Sequence, residues 1–161
     1  MKIAVGSDMK NHVTDSVVED LRRRGHEVEV FGALVQTPAM WSQVALEVAE
    51  KVAQGIFDQA VLFCWTGTGI SLAANKVKGI RAALCQDAET ARGARQWNDA
   101  NILAMSLRLM SEAVAKEILD AWFEAAPSTD ADDVACLTFL AQAEEQFCWG
   151  LCKKPISKNE Q

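Results

Sequence analysis

The sequence Gln59-Ala-Val-Leu-Phe-Cys64, followed by Trp65-Thr-Gly-Thr-Gly69, is the clearest structural signal in the chain. Its first six residues form a nearly continuous apolar run, which is typical of a strand buried on both faces of a sheet. The two glycines mark a turn, and residues 70–76 then show the pattern of a short helix. Because a buried strand that leads through a turn into a helix is half of a β–α–β unit, the stretch predicts an α/β protein with a parallel sheet.

The same alternation extends in both directions from this stretch. Short apolar segments predict five strands, at residues 2–7, 27–31, 59–64, 81–85 and 102–105. Helical patterns follow them at residues 13–24, 41–54, 70–76, 89–96 and 111–125. We therefore predict a three-layer Rossmann-like α/β fold with a five-stranded parallel sheet covered on both faces.

A change of composition divides the chain near its end. Residues 127–133 are small and acidic and predict a linker, and residues 134–147 predict one more helix. We expect one α/β domain at residues 1–126. We expect the linker and extra C-terminal helix, at residues 127–161, to pack on a partner subunit.

Charge and hydropathy exclude two classes of partner. The chain has 161 residues and a net charge of −6, whereas a nucleic-acid-binding face is basic. No stretch approaches the ~18 uninterrupted apolar residues of a membrane span. The first residues turn polar at Asp8 and lack the apolar run of a signal peptide. We expect a cytoplasmic protein that binds neither nucleic acid nor membrane.

The cysteines predict neither disulfides nor a metal site. There are five, without any CxxC pair, and in a reducing compartment such thiols are usually buried or idle. Cys148 and Cys152 are spaced as C-x3-C with no histidine near them. Because a tetrahedral metal site needs four nitrogen or sulfur ligands, we expect no metal there.

Polar residues follow the predicted strands. Gly6-Ser7-Asp8 closes the first strand, residues 64–69 follow the third, and Cys85-Gln86-Asp87 follows the fourth. We expect Trp97-Asn98-Asp99, which precedes the fifth strand, to fold over the same edge. Open parallel sheets bind ligands beyond the carboxyl ends of their strands, so the site is predicted there.

The glycine turn at residues 66–69 has two interpretations. Its backbone N–H groups, at the start of a helix, favour negative charge, so the turn either holds an anion without a catalytic part or serves a reaction. The second interpretation adds Cys64, whose thiolate the same positive field favours. Cysteine is also a common core residue, and the turn alone leaves both interpretations open.

Residues 64–85 read Cys-Trp-Thr-Gly-Thr-Gly-Ile-Ser-Leu-Ala-Ala-Asn-Lys-Val-Lys-Gly-Ile-Arg-Ala-Ala-Leu-Cys. This segment closely resembles the signature of the ribose-5-phosphate isomerase B and galactose-6-phosphate isomerase family. Gly6-Ser7-Asp8, Thr90-Ala91-Arg92 and residues 98–101 and 115–118 match the family in order and spacing. The resemblance covers residues 1–125.

The resemblance implies a homodimer, alone or as a dimer of dimers, with active sites at the subunit interface and a small sugar as substrate. It implies aldose–ketose isomerisation through a cis-enediol(ate), without a cofactor. Cys64 matches the general base that moves the proton between C1 and C2, and the backbone of Gly67 to Gly69 matches the group that stabilises the enediolate oxygen. Thr66, Asp8 and Asn98 match residues that hold sugar hydroxyls.

The departures from the family concern the substrate. Met9 replaces a phosphate-holding histidine, Trp97 a ring-opening histidine, and Trp65 a glycine. Thr37 replaces a tyrosine, and residues 128–133 (Ser-Thr-Asp-Ala-Asp-Asp) replace a basic segment that clasps phosphate across the dimer. Aspartates repel a phosphate dianion, which arginine forks usually hold. We therefore expect a substrate other than ribose 5-phosphate.

Arg108 and three tryptophans leave alternatives open. Arg108 matches a phosphate-contacting arginine of the family, and it either binds a monoanion or pairs with a nearby acid. Trp97 cannot exchange a proton at neutral pH, which favours a short or open-chain sugar. Trp41, Trp65 and Trp97 together suit the mouth of a sugar site. For Trp41 we favour a core position at the start of its helix.

The sequence thus predicts an aldose–ketose isomerase for a non-phosphorylated or acidic sugar, with Cys64, Thr66 and Asp8 as catalytic residues. The predicted substrate-binding residues are Gly67, Thr68, Gly69, Asn98, Trp97, Met9, Trp65 and Arg108. One alternative is an ordinary ribose-5-phosphate isomerase B with basic residues elsewhere. The other is a dimeric sugar-binding protein that has lost catalysis.

Overall fold

The computed structural model describes residues 1–36 and 38–151, with residues 147–151 described by backbone alone. Its strands are β1 (Lys2–Ser7), β2 (Glu27–Gly32), β3 (Gln59–Cys64), β4 (Ala82–Leu84) and β5 (Ile102–Ser106). Its helices are α1 (His12–Arg23), α2 (Trp41–Ala53), α3 (Thr68–Ala74), α4 (Ala88–Asn98), α5 (Glu112–Glu124) and α6 (Ala131–Leu151). A short 3-10 turn at Ala33–Val35 follows β2.

The five strands form one sheet in the order β2-β1-β3-β5-β4, and every neighbouring pair is parallel. From β1 the chain crosses to β2 on one side, and all later strands lie on the other side. The strand order therefore reverses between β1 and β3. This is the point at which open α/β sheets leave a ligand crevice beyond the carboxyl ends of their strands.

Successive strand residues point to opposite faces of the sheet and build two separate cores. The face covered by α1, α4 and α5 buries Ile3, Val5, Val61, Phe63, Leu103 and Met105. The face covered by α2 and α3 buries Ala4, Ala60, Leu62, Cys64, Ile102 and Ala104. The predicted three-layer fold is confirmed, and Cys64 belongs to the layer formed with α2 and α3.

A buried polar contact fixes α5 on the sheet. The indole Nε1–H of Trp122 donates to the side-chain oxygen of Gln59 at 2.7 Å, and both residues are buried. The guanidinium of Arg95 lies over the Trp122 ring, 5.5 Å from its centroid. Because Gln59 begins β3, this contact joins α5 to the strand that ends at Cys64.

Beyond Ser128 the chain forms a second compact unit, which begins at Thr129. Its helix, α6, is longer than the predicted segment 134–147, since it begins at Ala131, directly after Asp130. The Asp130 carboxylate accepts the backbone N–H of Asp132 at 2.9 Å, as is common at helix starts. Within residues 1–36 and 38–151, none of the helices combines the length and the apolar character that crossing a membrane requires.

Candidate active site

A cleft of about 320 Å³ opens at the carboxyl edge of the sheet, beside the end of β3. Its lining residues are Asp8, Trp41, Cys64, Trp65, Thr66, Thr68 and Gly69. Asp8 follows β1, Cys64 ends β3, and Trp41 begins α2. The cleft therefore lies at the reversal of strand order, and it brings together all the predicted catalytic residues, which the sequence places on two separate segments.

The backbone around Gly67 requires glycine. Its φ is +75°, and a Cβ at this position would lie 2.4 Å from Leu84 Cδ1 and 3.0 Å from the Met105 carbonyl carbon. With no side chain, the turn can pass close to β4 and β5 and enter α3 one residue later. The hydroxyl groups of Thr66 and Thr68 share a hydrogen bond of 2.7 Å across this turn.

Residues at the end of β5 form hydrogen bonds with the backbone of Cys64 and Trp65, just before the glycine turn. The carbonyl oxygen of Trp65 accepts the Ser106 hydroxyl and the Arg108 backbone N–H, each at 3.0 Å. The Cys64 carbonyl accepts the Leu107 N–H, also at 3.0 Å. These bonds fix the backbone on both sides of the Cys64 thiol, while the Trp65 side chain remains exposed.

Two buried cysteines lie at the carboxyl ends of β3 and β4 and differ in their surroundings. Cys64 is 4% exposed and borders the cleft. Cys85, directly after β4, is 0% exposed and lies among α1, α4 and α5. Burial, with a smaller contribution from the negative charge of Asp87, raises the pKa of the Cys85 thiol to about 12. Cys85 thus stays protonated, and Cys64 is the thiol that a ligand in the cleft meets.

Asp8 carries an unused acceptor into the cleft. Its Oδ1 atom is buried and has no hydrogen-bond partner within the described part of the chain. Burial raises the pKa of this carboxyl above its ordinary value, and a backbone hydrogen bond opposes the shift. The preceding turn is rigid, since the Ser7 hydroxyl donates to the Met9 carbonyl at 2.6 Å and accepts the Met9 N–H at 3.1 Å. The cleft is thus lined by a carboxyl group of which one oxygen has no hydrogen-bond partner in the described residues.

Met9 and Arg108 lie at the same edge but outside the residues that line the cleft. Met9 is exposed one residue beyond Asp8, and Arg108 is exposed two residues beyond the end of β5. The Arg108 guanidinium forms no ion pair with any residue in the ranges 1–36 and 38–151, unlike Arg81 and Arg95, which both pair with Asp99. The alternative that Arg108 pairs with a nearby acid finds no support.

The expectation that Trp97, Asn98 and Asp99 fold over the carboxyl edge is wrong. Trp97 and Asn98 form the last turn of α4, which returns from the carboxyl end of β4 to the amino end of β5. Arg81, just before β4, donates from Nε to the carbonyl oxygens of Asn98 and Asp99 at 3.1 and 2.8 Å. A strand rises ~3.3 Å per residue, so roughly 16 Å of β5 separates this edge from the cleft.

The expectation that Trp41 is a core residue is also wrong. Trp41 is 44% exposed and lines the cleft. A helix that follows a strand of a parallel sheet begins at the carboxyl edge, so the first residue of α2 is placed near the ligand crevice. The place of Trp41 at the start of the helix that follows the second strand could therefore have predicted from the sequence that it lies near the cleft.

No group of three or more potential metal ligands occurs among the residues that the structure describes. The C-x3-C pair lies outside them, because Cys152 and the side chain of Cys148 are not described. Thr37, where the family has tyrosine, is also outside the described residues.

The model of the ribose/galactose isomerase family matches residues 3–134. Ribose-5-phosphate isomerase B of Escherichia coli (strain K12) is 41% identical over 125 residues, which are 77% of this chain and 84% of that protein. A 4-deoxy-4-sulfo-D-erythrose isomerase of Clostridium sp. (strain MSTE9) is 36% identical over 107 residues, 65% of this chain and 67% of that protein.

Solved structures agree with these sequence matches. Ribose-5-phosphate isomerase B of Clostridium thermocellum is 36% identical and superposes with a TM-score of 0.85, over 91% of this chain and 99% of that one. The predicted resemblance is thereby confirmed. The chain is an isomerase and belongs to the ribose/galactose isomerase family.

Proposed function

We propose that this chain is an aldose–ketose isomerase that moves a proton between C1 and C2 of an open-chain sugar through a cis-enediol(ate), with Cys64 as the base. The observation that carries the proposal is the Cys64 thiol in the wall of a cleft that Asp8 and the glycine turn also line. Such a reaction needs a base and a stabiliser of the developing oxyanion within reach of the same two carbons.

The glycine turn is the proposed oxyanion stabiliser. It enters α3 directly, and the first N–H groups of a helix have no partner within that helix. The hydroxyls of Thr66 and Thr68 lie beside these amides in the exposed part of the turn. Donors fixed before the reaction stabilise a developing negative charge without reorganising, which is the role that the family resemblance gives to Gly67–Gly69.

Asp8 is the proposed anchor for a sugar hydroxyl. Its buried Oδ1 atom has no partner in the described part of the chain, and a buried acceptor of this kind costs free energy until a donor reaches it. A hydroxyl of the open-chain substrate supplies that donor and orients C1 and C2 over the Cys64 thiol.

The substrate's far end carries at most one negative charge in this proposal. Arg108 is an exposed guanidinium without an ion pair in the described residues, and residues 128–133 bring aspartates where the family has a basic clasp. One arginine suits a carboxylate or a sulfonate better than a phosphate dianion. The name of the Clostridium relative, a sulfo-sugar isomerase, supports a small monoanionic sugar over ribose 5-phosphate.

A second copy of the chain completes the site in this proposal. Trp97 and Asn98 lie far from the cleft of their own chain, yet the Trp97 indole is exposed and packs against Gly93, where a Cβ would meet it at 2.6 Å. Large apolar side chains at the carboxyl edge, Trp65, Leu72 and Leu109, are exposed as well. Apolar surface of this kind marks a protein interface, so a homodimer brings Trp97 and Asn98 to the partner's cleft.

The C-terminal unit also packs on a partner subunit in this proposal. On α6 the side chains of Val134, Phe139 and Leu140 are exposed. Such a helix gains stability when its apolar residues are buried against another surface. We assign residues 127–161 to contacts with the partner subunit.

Interconversion of sugars followed by NMR tests the substrate class. Purified wild type and its Arg108→Gln variant receive four- and five-carbon aldoses, each as the neutral sugar, a terminal carboxylate, a sulfonate and a phosphate. We expect turnover of neutral or monoanionic members by the wild type, and a loss confined to the monoanions in the variant. Activity confined to ribose 5-phosphate would restore the ordinary family assignment. Binding without turnover of any member would favour the sugar-binding protein.

A further inference from the structure

The indole of Trp41 is fixed against the backbone of the glycine turn. A Cβ built on Gly69 would lie 3.1 Å from the indole atoms Cδ2 and Cε3 and 3.3 Å from Cε2. Three ring atoms at nearly equal distances indicate that the ring lies flat over Gly69. A Cβ at residue 69 would be tight against the indole and would require a small shift of the ring, so the glycine lets the tryptophan pack closely on the turn.

The rest of the indole is available to a ligand. Trp41 is 44% exposed although large apolar side chains are usually buried. Within residues 1–36 and 38–151 it takes part in no ring pair or cation–π contact, and its Nε1–H has no hydrogen-bond partner. The ring borders the cleft that Cys64 also lines. The exposed part of the Trp41 indole is therefore an apolar surface next to the Cys64 thiol, and no residue of the described chain covers it.

The cleft has both polar and aromatic walls. The Asp8 carboxyl and the hydroxyls of Thr66 and Thr68 provide acceptors and donors, whereas Trp41 and Trp65 provide aromatic rings. Of the two rings, it is Trp41 that packs against Gly69. Each CHOH carbon of an open-chain sugar carries one hydroxyl group and one hydrogen, so the carbon chain offers both polar and apolar surface to these walls. Aromatic rings with an apolar face and a polar edge suit ligands of this kind.

We propose that Trp41 is a substrate-positioning residue whose indole face, next to Gly69, receives the carbon-bound hydrogens that flank the reacting carbons of the sugar, while the hydrogen that moves faces Cys64. This inference rests on the proposed sugar isomerase function and adds a contact to it. Because Gly69 lies in the turn that follows Cys64, the indole contacts the end of the sugar where the proton moves. Its contribution is therefore independent of the group at the far end, in contrast to that of Arg108.

Calorimetric binding of unreactive sugar acids tests this contact without turnover. The probes are four- and five-carbon aldonic acids, each with and without a terminal sulfonate. Trp41→Ala is expected to raise Kd about tenfold for every probe, by the same factor with and without the sulfonate. Trp41→Phe is expected to retain most of the affinity. Arg108→Gln is expected to weaken only the probes that carry the sulfonate.

Leu46→Ala is the matched control, because Leu46 is an exposed residue of α2 that does not line the cleft. Circular dichroism melts establish that each variant folds. The inference is overturned if Trp41→Ala changes Kd by less than about twofold, if its effect depends on the terminal sulfonate, or if the wild type binds no probe. Binding that depends on Trp41 while no sugar is isomerised would sustain this contact and reject the proposed function alone.

Discussion

At the scale of the residue, side chains of the same type differ in their pKa and in their access to the cleft, because their surroundings differ. Cys64 and Cys85 are both buried thiols, but only Cys64 borders the cleft, and the pKa of Cys85 is raised to about 12. Asp8 and Asp87 both follow strands, yet the pKa of Asp8 is raised by burial and that of Asp87 is lowered by hydrogen bonds from Thr90. Residue type alone therefore does not identify the reacting group.

Replacing Asp8 by asparagine is expected to increase the free energy of unfolding at neutral pH. The folded-state pKa of Asp8 is raised, so its contribution to stability is complete below pH 3.8 and is lost as the pH rises through the folded-state pKa. An asparagine side chain stays uncharged at every pH, so the variant does not lose this contribution to stability. The difference in free energy of unfolding between Asp8→Asn and the wild type should therefore grow as the pH rises. Urea unfolding of both proteins at several pH values measures the difference.

Asp87→Asn is the control, because the pKa of Asp87 is shifted in the opposite direction and its effect on stability should have the opposite dependence on pH. The pKa of Asp87 is lowered by the Thr90 amide and hydroxyl, so its carboxylate contributes stability above its unfolded pKa that is lost as the pH falls. This variant should be less stable than the wild type at neutral pH and should approach it in acid. The same trend in both variants would contradict the assigned surroundings of Asp8.

Gly67→Ala is expected to destabilise the protein by about 3 kcal/mol or more, because the added methyl meets Leu84 and the backbone of β5 at a positive φ. Gly55→Ala, also at a positive φ but with nothing within 4 Å, is the matched control and should cost about 1–2 kcal/mol. Denaturant unfolding compares the two. Equal losses would mean that crowding around Gly67 has no energetic consequence.

At the scale of the element, apolar patterning predicted the strands and the layers, because burial on both faces leaves a continuous apolar run in strands such as residues 59–64. The end of α4 was not predictable in the same way. Asp99, in the left-handed conformation with a φ of +41°, ends the helix two residues beyond the predicted boundary. Trp97 and Asn98 therefore belong to the helix and not to a loop. Because they directly precede β5, they lie at its amino end, at the edge of the sheet opposite the cleft.

The site itself was only partly predictable from sequence. Local order sufficed for Cys64, Thr66 and Gly67, because one turn carries them all. For Trp41 the sequence favoured a core position, because large aromatic side chains are usually buried. Its exposure depends on where α2 begins relative to the carboxyl edge of the sheet and on the absence of a side chain at Gly69. Both are features of the tertiary structure.

The contact between α5 and β3 is predicted to depend on one buried hydrogen bond. Gln59→Leu leaves the Trp122 indole N–H without its acceptor, and an unpaired buried donor costs about 1–3 kcal/mol. Gln54→Leu, at an exposed position, should change stability by less than about 0.5 kcal/mol. Thermal and urea unfolding measure both variants, and equal effects would reject the role of the bond.

At the scale of the whole molecule, the proposal divides each site between two chains. The Cys64 cleft lies at the carboxyl edge of one sheet, and Trp97 and Asn98 lie at the amino edge of β5. A two-fold symmetric dimer lets each chain give its α4 end to the other's cleft. The exposed apolar residues around the cleft would then be buried on assembly.

Mixing two inactive variants tests this division. Cys64→Ala and Asn98→Ala, unfolded together and refolded in equal amounts, form mixed dimers in which one of the two sites has both residues. We expect recovery of about one quarter of wild-type activity for a symmetric dimer that assembles at random. Each variant refolded alone is the control. If Asn98 serves the cleft of its own chain, no mixture recovers activity.

The central claim is that the Cys64 thiol moves the carbon-bound proton, and exchange of that proton with deuterated solvent, followed by NMR, tests it most directly. Wild type, Cys64→Ala and Cys85→Ala are incubated in heavy water with the sugar that the wild type converts best. The account predicts deuterium at C1 or C2 with the wild type and with Cys85→Ala, and none above background with Cys64→Ala. Exchange by Cys64→Ala at the wild-type rate would contradict the account and transfer the role of base to another group in the cleft.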